Sequence, residues 1–247
     1  MLFLIFLGNR ALKSLYECDK CNERFCEMES HFSNYMAFYH ILSRIGRGKK
    51  KPVYKNNSKS KIVVEENYTD IYLHPDDENL KVDKNIEEKT FTVYGVRSYI
   101  PIYVYKIFIK MALTIMPESE MKYCQFTNKW LMSEDIEIRD MRLSIRMYNC
   151  LEQFNGSCVI YKRNDGCKEN MPCYLFGLKY NNFFIQTYIP LCYQDTIFSG
   201  KISMPLIPCT FDEEGIDYIR YLPDLSSHDK ISKENISLKF DVGDWVL

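Results

Sequence analysis

Apolar residues recur every three or four positions between residues 22 and 45, and this spacing predicts an amphipathic helix. Its apolar positions are Phe25, Met28, Phe32, Tyr35, Met36, Tyr39, Ile41 and Leu42. Residues 102–116 are apolar on nearly every side, which is typical of a helix buried between layers. Because Pro117 ends that helix and Ser119 opens another that runs to about Met132, the sequence predicts a helical hairpin.

After Asp135 the pattern changes to short runs of β-branched and aromatic residues separated by polar turns, which predicts antiparallel strands. The strands predicted in this part are 143–148, 157–161, 173–178, 183–191, 201–206 and 236–242. Four shorter strands are predicted earlier, at 2–7, 61–64, 71–73 and 90–94. The sequence therefore predicts an α+β protein in three parts, which are residues 1–45, residues 46–134 with the hairpin, and a mostly antiparallel β unit at 135–247.

Composition narrows the class of protein further. With 46% hydrophobic and 26% charged residues the chain is typical of globular proteins, and a net charge of −1 gives no overall attraction to nucleic acid. The ten cysteines are scattered, and Met1–Leu7 lacks the basic segment and cleavage site of a secretory signal. We therefore predict a cytoplasmic protein with reduced cysteines and no membrane partner.

Local charge is far from neutral between residues 44 and 61, where eight basic residues occur without an acidic one. A solvated surface loop is one interpretation of such a run. Contact with phosphates is the other, because clustered lysine and arginine are the electrostatic footprint of nucleic-acid binding. The candidate nucleic-acid-binding residues are Arg44, Arg47, Lys49, Lys50, Lys51 and Lys55.

A C-x-x-C motif, Cys18 and Cys21, stands directly before Asn22. Two cysteines at this spacing, at a turn from a strand into a helix, are typical of half of a tetrahedral zinc site. The oxygen of Asn22 would lie beside that zinc, where a second metal ion could be held. A second interpretation adds Cys26 and His31 as a zinc knuckle that binds nucleic acid. It is disfavoured because residues five apart on a helix point about 140° apart.

The segment FLGNRALKSLYECDKCNERF, residues 6–25, resembles the second half of the zinc-binding ββα-metal module of bacterial HNH endonucleases. Residues 42–54 and 104–131 resemble the regions that follow this module in one bacterial subfamily. The resemblance implies a partial, treble-clef-like N-terminus and a metal-dependent nuclease, a hydrolase that cleaves DNA. It also implies that Cys18 and Cys21 bind structural Zn²⁺, that Asn22 helps to hold a catalytic Mg²⁺ or Mn²⁺, and that DNA is the partner.

The chain departs from the family at its start. The position of the family's general-base histidine falls on Met1, and the first C-x-x-C pair of the family has no match. We therefore expect an N-terminally truncated endonuclease that holds zinc poorly and is weak or inactive, since loss of a general base typically costs roughly 10²–10⁴ in rate. The alternatives are a non-catalytic nucleic-acid-binding or regulatory protein derived from such a nuclease, and a protein whose β unit carries a sensing or interaction function.

The remaining candidates favour structural interpretations. Cys158, Cys167 and Cys173 could form a metal cluster, but no histidine accompanies them, so core or turn cysteines are preferred. The acidic residues around Asp135 are predicted to form a solvated linker rather than a Mg²⁺ site. The histidines predicted to be exposed or to cap local structure are His40, His74 and His228. The sequence has no glycine-rich phosphate loop, serine nucleophile motif or dinucleotide fingerprint.

Overall fold

The computed structural model describes residues 19–42, 53–54, 59–64, 69–133, 136–148, 156–164, 166, 170–180, 183–195, 204–209, 216–221 and 224–241. The helices are α1 (Asp19–Leu42), α2 (Pro101–Ile115), α3 (Glu118–Met121) and α4 (Gln125–Met132), with a 3₁₀ turn at Lys122–Cys124. The strands are β1 (Val53–Tyr54), β2 (Lys61–Val64), β3 (Thr69–Tyr72), β4 (Leu80–Asn85), β5 (Thr90–Tyr99), β6 (Ser144–Tyr148), β7 (Ser157–Lys162), β8 (Tyr174–Tyr180), β9 (Phe183–Tyr188), β10 (Ile216–Tyr221) and β11 (Ile231–Asp241). Helices combined with antiparallel sheets confirm the predicted α+β class.

Helix α1 has the amphipathic character that its sequence predicts, although it begins three residues earlier than expected. Its apolar stripe is buried from Phe25 to Tyr39. Phe32 meets Phe108 of α2 edge to face, with ring centroids 5.0 Å apart. Phe38 lies over Gly95 of β5, where an added Cβ would come within 2.1 Å of the Phe38 ring. Only glycine therefore lets α1 approach this strand so closely.

The predicted helical hairpin is present, but its second helix is broken into α3, the 3₁₀ turn and α4. Cys124 in the 3₁₀ turn is completely buried. The carbonyl of Tyr123 accepts a hydrogen bond of 2.8 Å from the backbone N–H of Tyr193, in the segment that follows β9. The broken part of the second helix therefore contacts the segment that follows β9. Helical periodicity cannot predict this contact.

The described strands form three antiparallel sheets, in the orders β1-β2-β3, β11-β5-β4 and β10-β6-β9-β8-β7. Strand β11 runs along β5 from the pair Ile231 and Tyr99 to the pair Asp241 and Thr90. The predicted part 135–247 thus contributes a strand to a sheet of the predicted part 46–134. One hydrophobic core also includes residues of all three predicted parts, from Phe25 to Ile236.

The strand predictions are confirmed for most runs and fail for a few. Strand β5 is longer than predicted, and the sequence analysis predicts none of β1, β4 and β10. The predicted strand 201–206 is not a strand where the structure describes it, at 204–206. There, Pro205 contributes no backbone donor, and its carbonyl instead accepts a hydrogen bond of 2.5 Å from the Gln186 side chain. The predicted strand at 2–7 lies outside the described residues.

Helix α2 is buried along most of its length and carries two lysines, whose surroundings explain how they are tolerated. Lys106 donates a hydrogen bond of 2.6 Å to the Ser133 carbonyl and lies 5.2 Å from the centre of the Trp130 ring. Lys110 forms an ion pair of 3.0 Å with Glu29 of α1. Among the helices that the structure describes, none combines the length and the hydropathy that crossing a bilayer requires.

Candidate functional site

Helix α1 begins at Asp19, so Cys21 and Asn22 lie in its first turn. The helix thus includes Cys21, whereas the sequence predicts the C-x-x-C pair at a turn before a helix that starts at Asn22. Cys18 and the side chains of Cys21 and Asn22 lie outside the described residues. The roles of these residues in binding Zn²⁺ and Mg²⁺ therefore stay predictions.

The predicted basic loop connects α1 to the first sheet. The residues predicted to contact nucleic acid also lie outside the described part of the chain, and they are Arg44, Arg47, Lys49, Lys50, Lys51 and Lys55. Lys59 and Lys61, at the end of the same basic run, are exposed. Lys59 lies 4.0 Å from Asp76, and the Lys61 amine lies 4.4 Å from the centre of the Tyr72 ring. This end of the basic run faces solvent, where it is accessible to a charged partner.

The arrangement of Cys26 and His31 does not favour a zinc knuckle. Cys26 is exposed, whereas His31 is half-buried on another face of α1. The Nδ1 atom of His31 accepts a hydrogen bond of 3.2 Å from the backbone N–H of Ile100, and its ring packs edge-on against Tyr103. Burial lowers the pKa of His31, which keeps the imidazole neutral and suited to accept that hydrogen bond. His31 thus holds α1 against the start of α2.

Two of the three remaining histidines are where the sequence predicts them. The Nδ1 atom of His74 accepts a hydrogen bond of 3.2 Å from the backbone N–H of Asp76, so this side chain caps a local turn. His228 is exposed. The side chain of His40 lies outside the described residues. Neither of these two side chains belongs to a metal-holding group among the described residues.

A buried ion pair, not anticipated from the sequence, fixes α1 to the sheet formed by β11, β5 and β4. Arg97 of β5 is 3% exposed, and its Nε donates to the carboxylate of Glu234 on β11. The guanidinium also donates to the Tyr35 carbonyl of α1 at 3.1 Å and lies 4.1 Å from the centre of the Tyr35 ring. One cation thus joins a helix and two strands and sets the position of the helix that carries the C-x-x-C-N motif.

Three buried cysteines meet at the end of the five-stranded sheet, and they are Cys124, Cys173 and Cys192. Hydrogen bonding to Cys192 lowers the pKa of Cys124 and, together with burial, raises that of Cys173. The core interpretation of Cys173 is confirmed, but its partners are Cys124 and Cys192 rather than Cys158. Across the described ranges, no three His, Cys, Asp or Glu side chains are arranged to hold a metal ion.

Asp195 lies beside the three thiols and is the most perturbed carboxylate of the site. Its Oδ1 accepts a hydrogen bond of 2.5 Å from the backbone N–H of Cys173, and its own N–H donates to the Cys192 carbonyl at 2.9 Å. Its Oδ2 is buried without a hydrogen-bond partner among the described residues. Burial raises the pKa of Asp195 to about 6, so this side chain gains or loses its proton near neutral pH.

A cavity of about 440 Å³ opens beside Asp195 and Cys192. Its walls combine apolar and polar side chains, among them Phe126, Arg139, Tyr188 and Leu191. Phe126 and Tyr193 are 54% and 69% exposed at its rim, so the cavity is open to solvent. Small polar solutes can therefore reach a buried thiol and a titrating carboxylate from one side.

The chain was compared with known protein families, curated proteins and solved structures. No protein-family model matches the chain, and neither a curated protein nor a solved structure does. The interpretation of this site therefore depends on its own chemistry, and the HNH resemblance remains a prediction from the residues that carry it.

The sequence gives only a weak signal for this thiol site. Each of its cysteines stands next to a tyrosine, at Tyr123, Tyr174 and Tyr193, which indicates burial but not pairing. Asp195 follows Gln194 in a short polar segment that resembles an ordinary loop. The cluster forms only because three distant segments meet in the fold.

Proposed function

We propose that this chain is a DNA-binding protein of HNH endonuclease ancestry, with weak or no DNA cleavage of its own. The observation that supports this proposal is the start of α1 at Asp19, which places Cys21 and Asn22 in the first turn of a helix. An HNH module needs its second C-x-x-C and its last metal ligand at such a helix start. The helix is held in place by Phe32 and by the Arg97 ion pair, as a metal-bearing element must be.

DNA binding would depend on the basic run between α1 and the first sheet. Six of its basic side chains are candidates for phosphate contact, and the chain as a whole carries a net charge of only −1. Because long-range attraction is absent, affinity should come from local contacts that release counterions. Such binding weakens steeply with salt and tolerates changes of DNA sequence.

Catalysis would require a divalent cation near Asn22 and a base that activates water. Mg²⁺ or Mn²⁺ would supply charge neutralisation at the phosphate, and Asn22 would contribute one oxygen ligand. The chain has no histidine upstream of Asn22, and His31 accepts a hydrogen bond from Ile100. The chain is thus expected to bind DNA better than it cuts it.

The first prediction concerns cleavage. With Mg²⁺ or Mn²⁺ present, we expect a chain of this sequence to nick supercoiled plasmid no faster than its Asn22→Ala variant, because residues 1–21 contain no histidine to activate water. Gel separation of supercoiled and nicked plasmid over time measures the rate. Robust cleavage that disappears in Asn22→Ala would show that another side chain serves as the base.

The second prediction concerns binding. Replacing Lys49, Lys50 and Lys51 together by alanine should weaken binding to duplex DNA about tenfold or more. It should also make the negative slope of log K against log salt less steep by about 3. Each lost phosphate contact releases about one counterion fewer. Fluorescence anisotropy with a labelled duplex, between about 50 and 200 mM salt, measures both quantities.

A matched variant separates local contact from net charge. Lys81→Ala, Lys84→Ala and Lys233→Ala together remove the same charge from exposed positions on β4 and β11. This control should bind DNA as the unmodified chain does. Equal weakening of both triple variants would mean that binding depends on overall charge, and no DNA binding by the unmodified chain would overturn the proposed function.

A further inference from the structure

The backbone brings Cys124 and Cys192 next to each other. The N–H of Tyr193 donates to the Tyr123 carbonyl at 2.8 Å, and the chain neighbours of these two residues are Cys192 and Cys124. Both cysteines are buried, at 0% and 5% exposure, and both are free thiols. The 3₁₀ turn before α4 and the segment after β9 are therefore joined by one hydrogen bond with a pair of thiols beside it.

Cys173 reaches the same point from the start of β8. Its N–H is held by Asp195, and its Sγ donates a hydrogen bond of 3.0 Å to Oε1 of Gln194. Arg163 fixes this segment in turn, because its guanidinium donates to the Gln194 carbonyl at 3.1 Å. Cys173 is thus the third thiol of the cluster, but its proton is engaged by an amide oxygen.

The three thiols differ in how readily they ionise. A hydrogen bond from Cys192 lowers the pKa of Cys124 and raises that of Cys192 to about 12. Hydrogen bonding to Cys192 and burial raise the pKa of Cys173. The pair Cys124 and Cys192 therefore loses its first proton before Cys173 does, and the remaining proton is shared between two neighbouring sulfurs.

Access distinguishes the two sulfurs of the pair. Cys192 lines the cavity of about 440 Å³, whereas Cys124 lies behind it in the core. Hydrogen peroxide is small enough to enter this cavity, and Cys192 forms part of its wall. Two neighbouring thiols beside a cavity open to solvent can be oxidised to a disulfide.

We propose that Cys124 and Cys192 form a thiol–disulfide site that hydrogen peroxide oxidises. The ionised sulfur of the pair attacks one peroxide oxygen, the O–O bond breaks, and the departing hydroxide takes up the released proton as water. The sulfur of the second thiol then attacks the sulfur of the sulfenic acid, the S–O bond breaks, and the thiol proton leaves with the hydroxide as a second water. Two thiols thus lose two electrons and two protons, and peroxide is reduced to two waters.

The disulfide would covalently link the 3₁₀ turn before α4 to the segment after β9. These two segments already contact each other through the backbone hydrogen bond from Tyr193 to Tyr123. The linkage would hold the wall of the cavity that Cys192 and Asp195 form. The site is independent of DNA binding, and it remains testable if the chain proves not to bind DNA.

Peptide mapping tests the proposal directly. Trypsin places the three cysteines on separate peptides, which are residues 123–129, 169–179 and 180–201. After peroxide treatment of the full chain and blocking of free thiols, we expect mass spectrometry to find peptide 123–129 linked to peptide 180–201. Reduction before digestion should remove the linked peptide. Oxidation of Cys26, which is exposed, shows that the peroxide dose is sufficient to oxidise an accessible thiol.

Two variants complete the experiment. Cys192→Ser should lose the linked peptide completely, and Cys158→Ser should keep it unchanged, because burial raises the pKa of Cys158 to about 12 and this thiol lies outside the cluster. The proposal would be overturned if Cys124 and Cys192 of the unmodified chain are recovered blocked and unlinked at a peroxide dose that oxidises Cys26. A link from peptide 169–179 to 180–201 without one from 123–129 would also overturn it, since Cys173 would then be the partner.

Discussion

Replacement of Glu234 by alanine is expected to lower the free energy of unfolding by about 3 kcal/mol. The reason is that Arg97 is 3% exposed and would keep its charge in the core after losing its carboxylate. Removing one partner of a buried ion pair typically costs about 3–5 kcal/mol. The lower end applies here because the Glu234 side chain is itself 22% exposed and Arg97 retains its contacts with Tyr35. Urea unfolding followed by circular dichroism measures the change.

An exposed ion pair of the same sheet provides the control. Glu88 and Lys239 lie 2.7 Å apart, but both side chains are 57% exposed, so Glu88→Ala should cost less than about 1 kcal/mol. The double replacement Arg97→Met and Glu234→Leu should recover most of the stability, since no unpaired charge is left buried. If Glu234→Ala costs no more than Glu88→Ala, the Tyr35 contacts alone are sufficient for Arg97, and the pair does not hold α1 in place.

Periodicity predicted the long elements well because burial alone determines them. The apolar residues of α1 form one stripe, and those of α2 lie on nearly every side of the helix. Each pattern is satisfied when the segment is helical and its apolar surface is buried. The bounds shifted by a few residues, which is usual where a helix end depends on its cap. Sequence spacing also separated Cys26 from His31 correctly, since both lie on α1 and their side chains have different surroundings.

Contacts between distant segments could not be predicted in this way. Arg97 and Glu234 are 137 residues apart, and neither has a feature that singles out the other. Cys124 joins the thiol cluster through a break in the predicted second helix and a backbone hydrogen bond between Tyr123 and Tyr193. Such pairings follow from the register of strands and the path of loops, which no local pattern contains. Of the predicted site itself, the described residues include only the helix start at Cys21 and Asn22.

Replacement of Asp195 by asparagine is expected to stabilise the protein at pH 7 by about 2 kcal/mol and to have almost no effect at pH 4. An aspartate in the unfolded chain has a pKa of about 4, whereas burial raises the pKa of folded Asp195 to about 6. Folding therefore takes up a proton between these values, and the stability of the unmodified protein falls as the pH rises through this window. Asparagine keeps the oxygen that accepts from Cys173 and has no charge to desolvate.

The measurement is the difference in unfolding free energy between the two proteins, from urea titrations at several pH values between about 4 and 7. A difference is needed because other groups also titrate in this range. Asp140→Asn is the matched control, since the Asp140 side chain lines the same cavity but is 60% exposed, and it should show no such trend. Destabilisation by Asp195→Asn that is equal at all pH values would mean that the buried Oδ2 is paired in solution.

The same replacement also connects stability to the thiol chemistry. The Asp195 charge is one of the causes that raise the pKa of Cys173 and Cys192. Removing that charge should make the pair of thiols easier to ionise, because the Asp195 charge also raises the pKa of Cys124. The Asp195→Asn variant should therefore form the disulfide between Cys124 and Cys192 faster than the unmodified chain at pH 7. Below about pH 5 Asp195 is already protonated and the two proteins should react at the same rate. An acceleration confined to the higher pH would show that this carboxylate restrains the oxidation of the neighbouring thiols, because a purely structural role would not follow its titration.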